Sequence, residues 1–253
     1  MSEKHFFIFG RKPVMEAFNS GRRLDKVLIL KDATGDEIKQ IRLQAHKAEI
    51  PVQNVPREKL DGLLRKYAAK QQKEPNHQGV VGFLSLIEYY TLDDVMNNAL
   101  SQGRNPLLVI LDGVTDVGNF GAIARSAEAM GADAIVVPSQ GSAQINSEAM
   151  KASAGSLNRI HVCREKSLVT AIKFLKASGV KVYGADMKGT DVAKADWNVP
   201  VALVMGSEGF GISGEVQKLC DDTVRIPMQG VTESLNVSVS AGIILYEAMK
   251  ARR

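Results

Sequence analysis

The sequence predicts an α/β protein whose larger part is a mostly parallel β-sheet. Short continuous apolar runs, among them LLVIL at 107–111 and VALVM at 201–205, recur through the second half of the chain. Stretches with helical spacing separate most of these runs. Unbroken apolar strands are typical of sheets buried on both faces, and their alternation with helices indicates parallel pairing. We therefore expect a central sheet that is covered by helices on both sides.

The individual elements are predicted from apolar periodicity and from turn residues. The first part of the chain shows strands at 27–31 and 50–55, helices at 36–47 and 57–66, a polar exposed loop at 68–79 and an apolar segment at 80–86. A helix at 92–100 and the polar stretch SQGRNP follow. The main sheet is predicted from strands at 107–111, 134–138, 159–163, 180–185, 201–205 and 223–227, with a helix at 119–130.

These elements predict a small α/β domain at residues 1–80, a linker region at 81–105 and a larger domain at 106–253. Charge is unequal between them: residues 1–80 carry sixteen Lys and Arg against ten Asp and Glu, a net charge of +6, whereas the remainder has sixteen against eighteen. A basic module on a slightly acidic body suggests binding to a polyanion such as nucleic acid. A solvated basic surface is the alternative, and charge alone does not decide between the two.

Several classes of protein do not fit this sequence. No apolar run reaches the roughly 18 residues of a membrane span, and the apolar run at the N-terminus is too short for a signal peptide. Cys163 and Cys220 are the two cysteines, without Cys-x-x-Cys spacing, and the four histidines do not cluster. We expect no disulfide, no metal site and no membrane contact, and a reducing cytoplasm as the location.

Three loops follow predicted strands, at the edge where open parallel sheets bind ligands. In the first, residues 112–133, Asn119 is placed to cap the following helix. Arg125 falls on the side opposite the apolar face of that helix, because the helical period is 3.6 residues. It is therefore a solvated arginine paired with Glu128, or it faces a second subunit or a phosphate. The carboxylates Asp112 and Asp116 are interpreted as solvated loop residues.

The second loop, GSEGFGIS at 206–213, does not have the spacing or position of a dinucleotide-binding fingerprint. Glu208 would repel a phosphate, so a carboxylate that orients an arginine is the better interpretation. The third loop lies in RIPMQGVTESLNVSVSAG, residues 225–242. It places Thr232, Glu233, Ser234 and Asn236 where a single helix cap would suffice, which indicates a second role for these polar side chains.

The runs NFGAIARSAEAMGAD, VALVMGSEGFGIS and RIPMQGVTESLNVSVSAG resemble, in order and spacing, the three motifs of the SpoU (TrmH-like) RNA 2′-O-methyltransferases. The similarity spans about residues 106–250. The stretch IFGRKPVMEAF resembles the start of the RNA-binding domain, similar to ribosomal protein L30e, that many members carry. Within the family, the chain resembles the bacterial enzymes that methylate a guanosine of 23S rRNA.

The resemblance implies a homodimer with an active site from both subunits, and a C-terminal trefoil knot that holds S-adenosylmethionine (SAM). By motif match, the implied catalytic residues are Asn119, Arg125, Glu208, Ser234 and Asn236. The implied cofactor-binding residues are Gly206, Ile226 and Leu235. The family proposal makes the arginine the base, whereas a guanidinium stays protonated at neutral pH. The other interpretation is that Arg125, oriented by Glu208, binds a phosphate and stabilises developing alkoxide charge.

The function that follows is SAM-dependent 2′-O-methylation of a guanosine in 23S rRNA. A tRNA ribose methyltransferase is the alternative within the same class. A non-catalytic RNA-binding protein on the same fold is the alternative from another class, and the intact polar motif positions argue against it. A dehydrogenase is rejected, because the dinucleotide fingerprint is missing.

Overall fold

The computed structural model describes residues 7–71, 76–231 and 234–253. His5, Thr232 and Glu233, which the sequence analysis considered, lie outside the described residues. The chain divides into two compact units, Met1–Leu86 and Ile87–Arg253. The division falls inside the segment 81–105, which was predicted as a linker region, because its first residues pair in the sheet of one unit and its later residues pack in the other.

The N-terminal unit is a small sheet with helices. Its elements are β1 (Phe7–Phe9), α1 (Arg11–Asn19), β2 (Leu24–Leu30), α2 (Asp36–Lys47), β3 (Val52–Val55), α3 (Arg57–Gln71) and β4 (Val80–Leu84), with the strand order β1-β4-β2-β3. Strand β4 pairs antiparallel with β1 and β2, and β3 pairs parallel with β2. Helix α3 is longer than predicted, so residues 68–71 are helical and not part of a loop.

Helix α2 shows why the residues of this unit form a helix. Ile38, Ile41 and Ala45 recur on one face and are buried, which anchors the helix to the apolar core of the unit. Asp36 lies in the first turn and Lys47 in the last turn, where each charge offsets the helix dipole.

The C-terminal unit is a parallel sheet that runs in the order β11-β9-β10-β6-β7-β8-β5. Its strands are β5 (Tyr89–Tyr90), β6 (Leu107–Leu111), β7 (Ala134–Pro138), β8 (His161–Glu165), β9 (Lys181–Asp191), β10 (Val201–Met205) and β11 (Asp222–Arg225). Its helices are α4 (Leu92–Ser101), α5 (Val117–Ala129), α6 (Ser147–Ala152), α7 (Leu168–Ala177), α8 (Gly214–Gln217) and α9 (Val237–Ala251). The prediction of a mostly parallel α/β sheet is confirmed.

Both faces of this sheet are buried, as the continuous apolar strands predicted. In β6, Leu107, Val109 and Leu111 belong to the core on one face, and Leu108 and Ile110 belong to the core on the other. This alternation follows from the two-residue period of a strand. Helices α5 and α9 contribute buried residues to the first core, and α4 and α7 contribute to the second.

Some boundaries differ from the prediction. Strand β8 begins at His161 and not at residue 159, because the preceding chain forms a short 3-10 turn at Ser156–Asn158. Strand β9 runs on to Asp191, and its later part pairs with β11 after a register shift. The trefoil knot that the resemblance implies stays a prediction.

Helices α5 and α6 approach closely at Gly121, where a Cβ would lie 2.5 Å from Ala152 Cβ and 2.8 Å from the carbonyl oxygen of Ala149. We expect Gly121→Ala to lower the free energy of unfolding by about 1–3 kcal/mol, because the two helices must separate. The measurement is equilibrium unfolding in urea.

The matched control is Gly62→Ala in α3, where an added Cβ meets no atom within 4 Å in the part of the chain that the structure describes. This substitution should stabilise the protein by up to about 1 kcal/mol through helix propensity. Equal responses to the two substitutions would contradict the close packing of α5 on α6.

Candidate active site

Two of the three predicted loops lie side by side because of the sheet order. Strands β6 and β10 are parallel neighbours whose last residues, Leu111 and Met205, are in register. The loops that follow them therefore start at the same edge. Asp112 joins the two loops, since its backbone N–H donates to the carbonyl of Met205 at 2.9 Å and its carboxylate accepts the N–H of Ser213 at 2.7 Å. Asp112 is thus a structural link, and its interpretation as a solvated loop residue is wrong.

The N-terminus of α5 presents Asn119. The helix begins at Val117 and is capped by Asp116, whose carboxylate accepts the N–H of Asn119 at 2.7 Å. Asp116 is therefore the N-cap, which corrects the prediction that Asn119 caps the helix; Asp116 is exposed, as its interpretation as a solvated loop residue predicted. Because Asn119 lies inside the first turn, its side-chain amide is free for contacts outside the helix.

The N-terminus of α9 presents Asn236. Its side-chain oxygen accepts the N–H of Ser238 at 3.0 Å, the N–H of Val239 at 3.3 Å and the hydroxyl of Ser238 at 2.5 Å. With its oxygen occupied by these donors, the amide NH₂ of Asn236 must point away from the helix. One residue thus caps the helix and directs two N–H donors toward the loop after β10.

Glu208 receives these donors. Its Oε1 accepts the NH₂ group of Asn236 at 2.6 Å and the NH₂ group of Asn119 at 3.1 Å. Asn236 Nδ2 also lies 2.9 Å from Asn119 Oδ1 and donates to it. The three residues, called the amide–carboxylate cluster below, come from three separate loops. Hydrogen bonds to a carboxylate are about twice as strong as neutral ones, so the cluster holds the loops together.

A cavity of about 360 Å³ lies beside the cluster and includes Glu208 in its wall. The four other predicted residues that line it are Gly206, Ile226, Ser234 and Leu235. Gly206 is required by close backbone approach, since a Cβ there would lie 2.1 Å from the carbonyl carbon of Gly211. The cavity thus lies between the loop after β10 and the loop before α9, where the cofactor was expected.

Arg125 lies apart from the amide–carboxylate cluster. It is exposed on α5 and makes no hydrogen bond or ion pair with the described residues. The expected pairing with Glu128 is wrong, because Glu128 binds Arg159 through bonds of 2.7 and 3.1 Å. The bond from Arg159 lowers the pKa of Glu128. Arg125 also does not bind Glu208 within one chain, since it is six residues from Asn119, about 9 Å along the axis and on another face.

Other kinds of site are not apparent in the part of the chain that the structure describes. No group of three or more His, Cys, Asp or Glu side chains there is arranged to hold a metal ion. Burial raises the pKa of Cys163 to about 12 and that of Cys220 to about 11, so both thiols stay protonated at neutral pH. Among the same residues, no helix combines the length and apolar character that crossing a membrane requires.

Sequence reasoning missed three residues that shape this site. Asp116 stands three residues before Asn119, and this spacing is typical of an N-cap. Ser238 fixes the amide orientation of Asn236, and Ser207 closes the loop that carries Glu208. The helix-capping rules contain the signal for Asp116. The roles of Ser207 and Ser238 depend on loop geometry, which no sequence pattern reports.

The chain belongs to the SpoU rRNA methylase family, whose model matches residues 106–246. A second family model, for the RNA 2′-O ribose methyltransferase substrate-binding domain, matches residues 7–90. The resemblance found in the three motifs is thereby confirmed, and the protein is an RNA methyltransferase of this family.

Individual relatives agree with the family. The chain is 36% identical over 253 residues to a putative TrmH family tRNA/rRNA methyltransferase, YacO, of Bacillus subtilis, and covers 98% of it. It is similar to an AdoMet-bound rRNA methyltransferase from Sinorhizobium meliloti, at 27% identity and a TM-score of 0.60, over 97% of this chain and 87% of that one. It is also similar to the TrmH/SpoU tRNA modifying enzyme of A. aeolicus, at 31% identity and a TM-score of 0.54, over 59% of this chain and 76% of that one.

The double role of Asn236 leads to a stability prediction. Asn236→Ala should cost about 0.5–2 kcal/mol through loss of the N-cap. Asn236→Asp keeps the cap but places a second carboxylate against Glu208, so its loss of stability should come from charge repulsion and shrink as salt is added. The measurement is urea unfolding at low and high ionic strength.

The control is Asn146, which caps α6 by accepting the N–H groups of Glu148 and Ala149 at 2.9 and 3.0 Å. Among the described residues, no carboxylate binds its side-chain amide. Asn146→Asp should therefore be nearly neutral at both ionic strengths. A loss for Asn236→Asp that does not depend on salt would contradict the proposed orientation of the Asn236 amide.

Proposed function

We propose that the protein transfers a methyl group from SAM to the ribose 2′-OH of a guanosine in 23S rRNA, and that it acts as a homodimer. The observation that carries this proposal is the amide–carboxylate cluster beside a cavity, at the three loops that carry the family motifs. A site that fixes a ribose hydroxyl needs hydrogen-bonding groups held rigidly in one orientation, because positioning supplies much of the rate enhancement.

The cavity fits SAM in size and chemistry. Its volume of about 360 Å³ lies within the range of roughly 300–1,000 Å³ that is usual for small-molecule sites. Met187, Ile226 and Leu235 offer apolar walls, and Asp186 and Glu208 offer carboxylates, which suit a cationic ligand that also carries an apolar part. We assign Gly206, Ile226 and Leu235 to holding the cofactor. Bound SAM supplies an electrophilic methyl group on a positively charged sulfur.

The residues of the chain prepare the hydroxyl for attack. The amide–carboxylate cluster provides fixed donors and acceptors on which the ribose can be oriented, and Ser234 adds a hydroxyl on the wall of the cavity. Among the described residues Glu208 Oε2 has no partner within one chain. In our proposal this oxygen binds Arg125 of the partner subunit, which stabilises the negative charge that develops on the 2′-oxygen as it forms its bond to the methyl carbon and its proton passes to solvent.

In the proposed homodimer, Arg125 lies at the interface between the subunits. Its neighbour Ser126 faces α9, where a Cβ on Gly242 would lie 3.5 Å from Ser126 Oγ. Val239 and Tyr246 are exposed on α9 and lie about 40–60° around the helix from Gly242. Because Arg125 directly precedes the residue that faces α9, a second copy that covers the exposed Val239 and Tyr246 would also lie near the part of α5 that carries the arginine.

We assign recognition of the RNA to the N-terminal unit. The substrate-binding family model matches this region, and residues 1–80 carry a net charge of +6 from sixteen Lys and Arg against ten Asp and Glu. A polar concavity in the unit is lined by Lys12 and Arg57 at the N-terminal ends of α1 and α3. These two cations are exposed and suited to phosphate groups.

Coverage favours rRNA over tRNA as the substrate. The rRNA methyltransferase from Sinorhizobium meliloti aligns with 97% of this chain, whereas the tRNA modifying enzyme of A. aeolicus aligns with 59%. The added N-terminal unit is therefore shared with a protein that is named for rRNA. A tRNA methyltransferase remains the second candidate, because YacO is named for both substrates.

The role of Arg125 is tested by Arg125→Ala and Arg125→Lys. As a surface change, Arg125→Ala should alter stability by no more than about 0.5 kcal/mol. Methyl transfer should fall by about 10²–10³-fold, as for loss of a group that stabilises developing negative charge. SAM affinity should not change, and Lys should not restore full activity because it lacks the planar fork. The measurement is single-turnover transfer to unmodified 23S rRNA, with thermal unfolding and SAM calorimetry for each variant.

The partner contribution is tested by mixing subunits. Neither Arg125→Ala nor Asn236→Asp should be active alone, whereas a mixture should regain activity, because each heterodimer contains one site with both intact residues. A folded and fully active Arg125→Ala protein would contradict the catalytic role. If mixtures of Arg125→Ala and Asn236→Asp subunits are inactive, the proposal that each active site is formed by two subunits is contradicted.

The role of the N-terminal unit is tested by the double variant Lys12→Ala and Arg57→Ala. Its affinity for 23S rRNA should fall, and the slope of log K against log salt should become shallower by up to about 2, since two phosphate contacts are lost. The control is Arg22→Ala with Lys47→Ala, which removes the same charge from two exposed residues, one three positions after the end of α1 and one in the last turn of α2. Equal effects of the two double variants would mean that only net charge matters.

A further inference from the structure

The loop after β10 presents one aromatic side chain on a hydrogen-bonded turn. The backbone N–H groups of Ser207 and Gly211 each donate to the carbonyl of the other at 2.9 Å, which closes a tight turn. Ser207 Oγ accepts the N–H of Phe210 at 3.3 Å inside this turn, and Gly211 has a φ of 66°, which favours glycine. Phe210 therefore stands at the tip of a pre-formed loop.

The Phe210 ring is almost completely in solvent. It is 97% exposed, and a Cβ added at either neighbouring glycine, Gly209 or Gly211, would meet none of the described residues within 4 Å. The side chain also borders the cavity, together with the exposed Met187 and Met228. An exposed phenylalanine that a rigid loop holds beside a proposed active site is a candidate for contact with a ligand.

The position of the ring relative to Glu208 limits which part of a ligand the ring can contact. Phe210 lies two positions after Glu208 in the sequence, so their Cα atoms are at most about 7.6 Å apart. A ribose 2′-OH lies one carbon away from the carbon that carries the base. When the hydroxyl of the substrate is at the amide–carboxylate cluster, its own base or the base of the next nucleotide is therefore within reach of the Phe210 ring.

We propose that Phe210 stacks on a base of the substrate RNA at or next to the methylated nucleotide. Aromatic side chains that bind single-stranded nucleic acid offer their faces to bases in this way, and the contact tolerates different bases. This inference rests on the proposed function, since it needs the ribose to lie at the amide–carboxylate cluster. Phe210 is in this proposal a substrate-positioning residue that takes no part in proton or methyl transfer.

Two other contacts of the Phe210 ring would give different results in binding experiments. If the ring covered the cofactor, its removal would weaken SAM binding in the absence of RNA. If the ring packed against a second copy of the chain, its removal would shift the monomer–dimer equilibrium. The stacking proposal predicts that neither property changes.

The experiment compares Phe210→Ala, Phe210→Leu, Phe210→Tyr and Phe210→Trp for binding to unmodified 23S rRNA and unmodified tRNA transcripts. For whichever of the two unmodified RNAs the wild type methylates, we expect Phe210→Ala to weaken binding by about 5- to 100-fold, which corresponds to the loss of one stacked base. Tyr and Trp should bind like the wild type, whereas Leu should behave like Ala because it has no ring. The salt slope should not change, since no phosphate contact is lost.

Phe174→Ala is the matched control, because Phe174 is also an exposed phenylalanine but lies on helix α7 and not in the loop after β10. It should bind both RNAs like the wild type. The proposal is overturned if Phe210→Ala binds RNA normally, if Leu replaces Phe fully, or if the loss appears equally in SAM affinity or in dimerisation. Single-turnover transfer by the wild type distinguishes a failure of the stacking role from a failure of the proposed function. If the wild type methylates RNA and Phe210→Ala binds and methylates it equally well, only the stacking role is contradicted. A wild type that binds and methylates neither RNA would remove the proposed function together with it.

Discussion

The site depends on one carboxylate that accepts two amide groups. Glu208 Oε1 binds the NH₂ groups of Asn236 and Asn119, at 2.6 and 3.1 Å, and these residues come from loops that are up to 117 residues apart in sequence. Without the carboxylate, the two amide donors would lose their common acceptor, and without the amides the carboxylate would lie at the edge with no bound partner. The geometry of the site is therefore set by the group as a whole and not by any one residue.

The order of the strands and the positions of the helices bring these loops together. Strands β6 and β10 are parallel neighbours, so their carboxyl ends meet at one edge of the sheet. Helices α5 and α9 then place Asn119 and Asn236 at their first turns, where helix capping already orients the backbone. Gly206 and Gly121 permit close backbone and helix contacts that a Cβ would prevent. The scaffold is thus rigid where the amide–carboxylate cluster needs it.

The sequence was sufficient for the architecture and for the identity of most site residues, but not for their contacts. Continuous apolar strands such as LLVIL predicted the buried parallel sheet because burial on both faces leaves a direct mark on composition. Motif similarity selected Asn119, Glu208 and Asn236, whereas helical spacing offered Glu128 as a partner of Arg125, and the loop sequence suggested that Glu208 orients an arginine of the same chain. Those pairings depend on rotamers and on Arg159, which is 31 residues from Glu128 in sequence. Side-chain partners of this kind are decided by tertiary packing, which leaves no periodic signal.

In the proposed function, the amide–carboxylate cluster forms the site of RNA ribose methylation. The most direct measurement is mass-spectrometric mapping of ribose methylation in rRNA and tRNA from cells that lack the protein and from cells that regain it as the wild type or as Asn236→Asp. We expect that one 2′-O-methylguanosine of 23S rRNA disappears without the protein, returns with the wild type and does not return with Asn236→Asp. Unchanged ribose methylation in cells that lack the protein, or full recovery with Asn236→Asp, would contradict it.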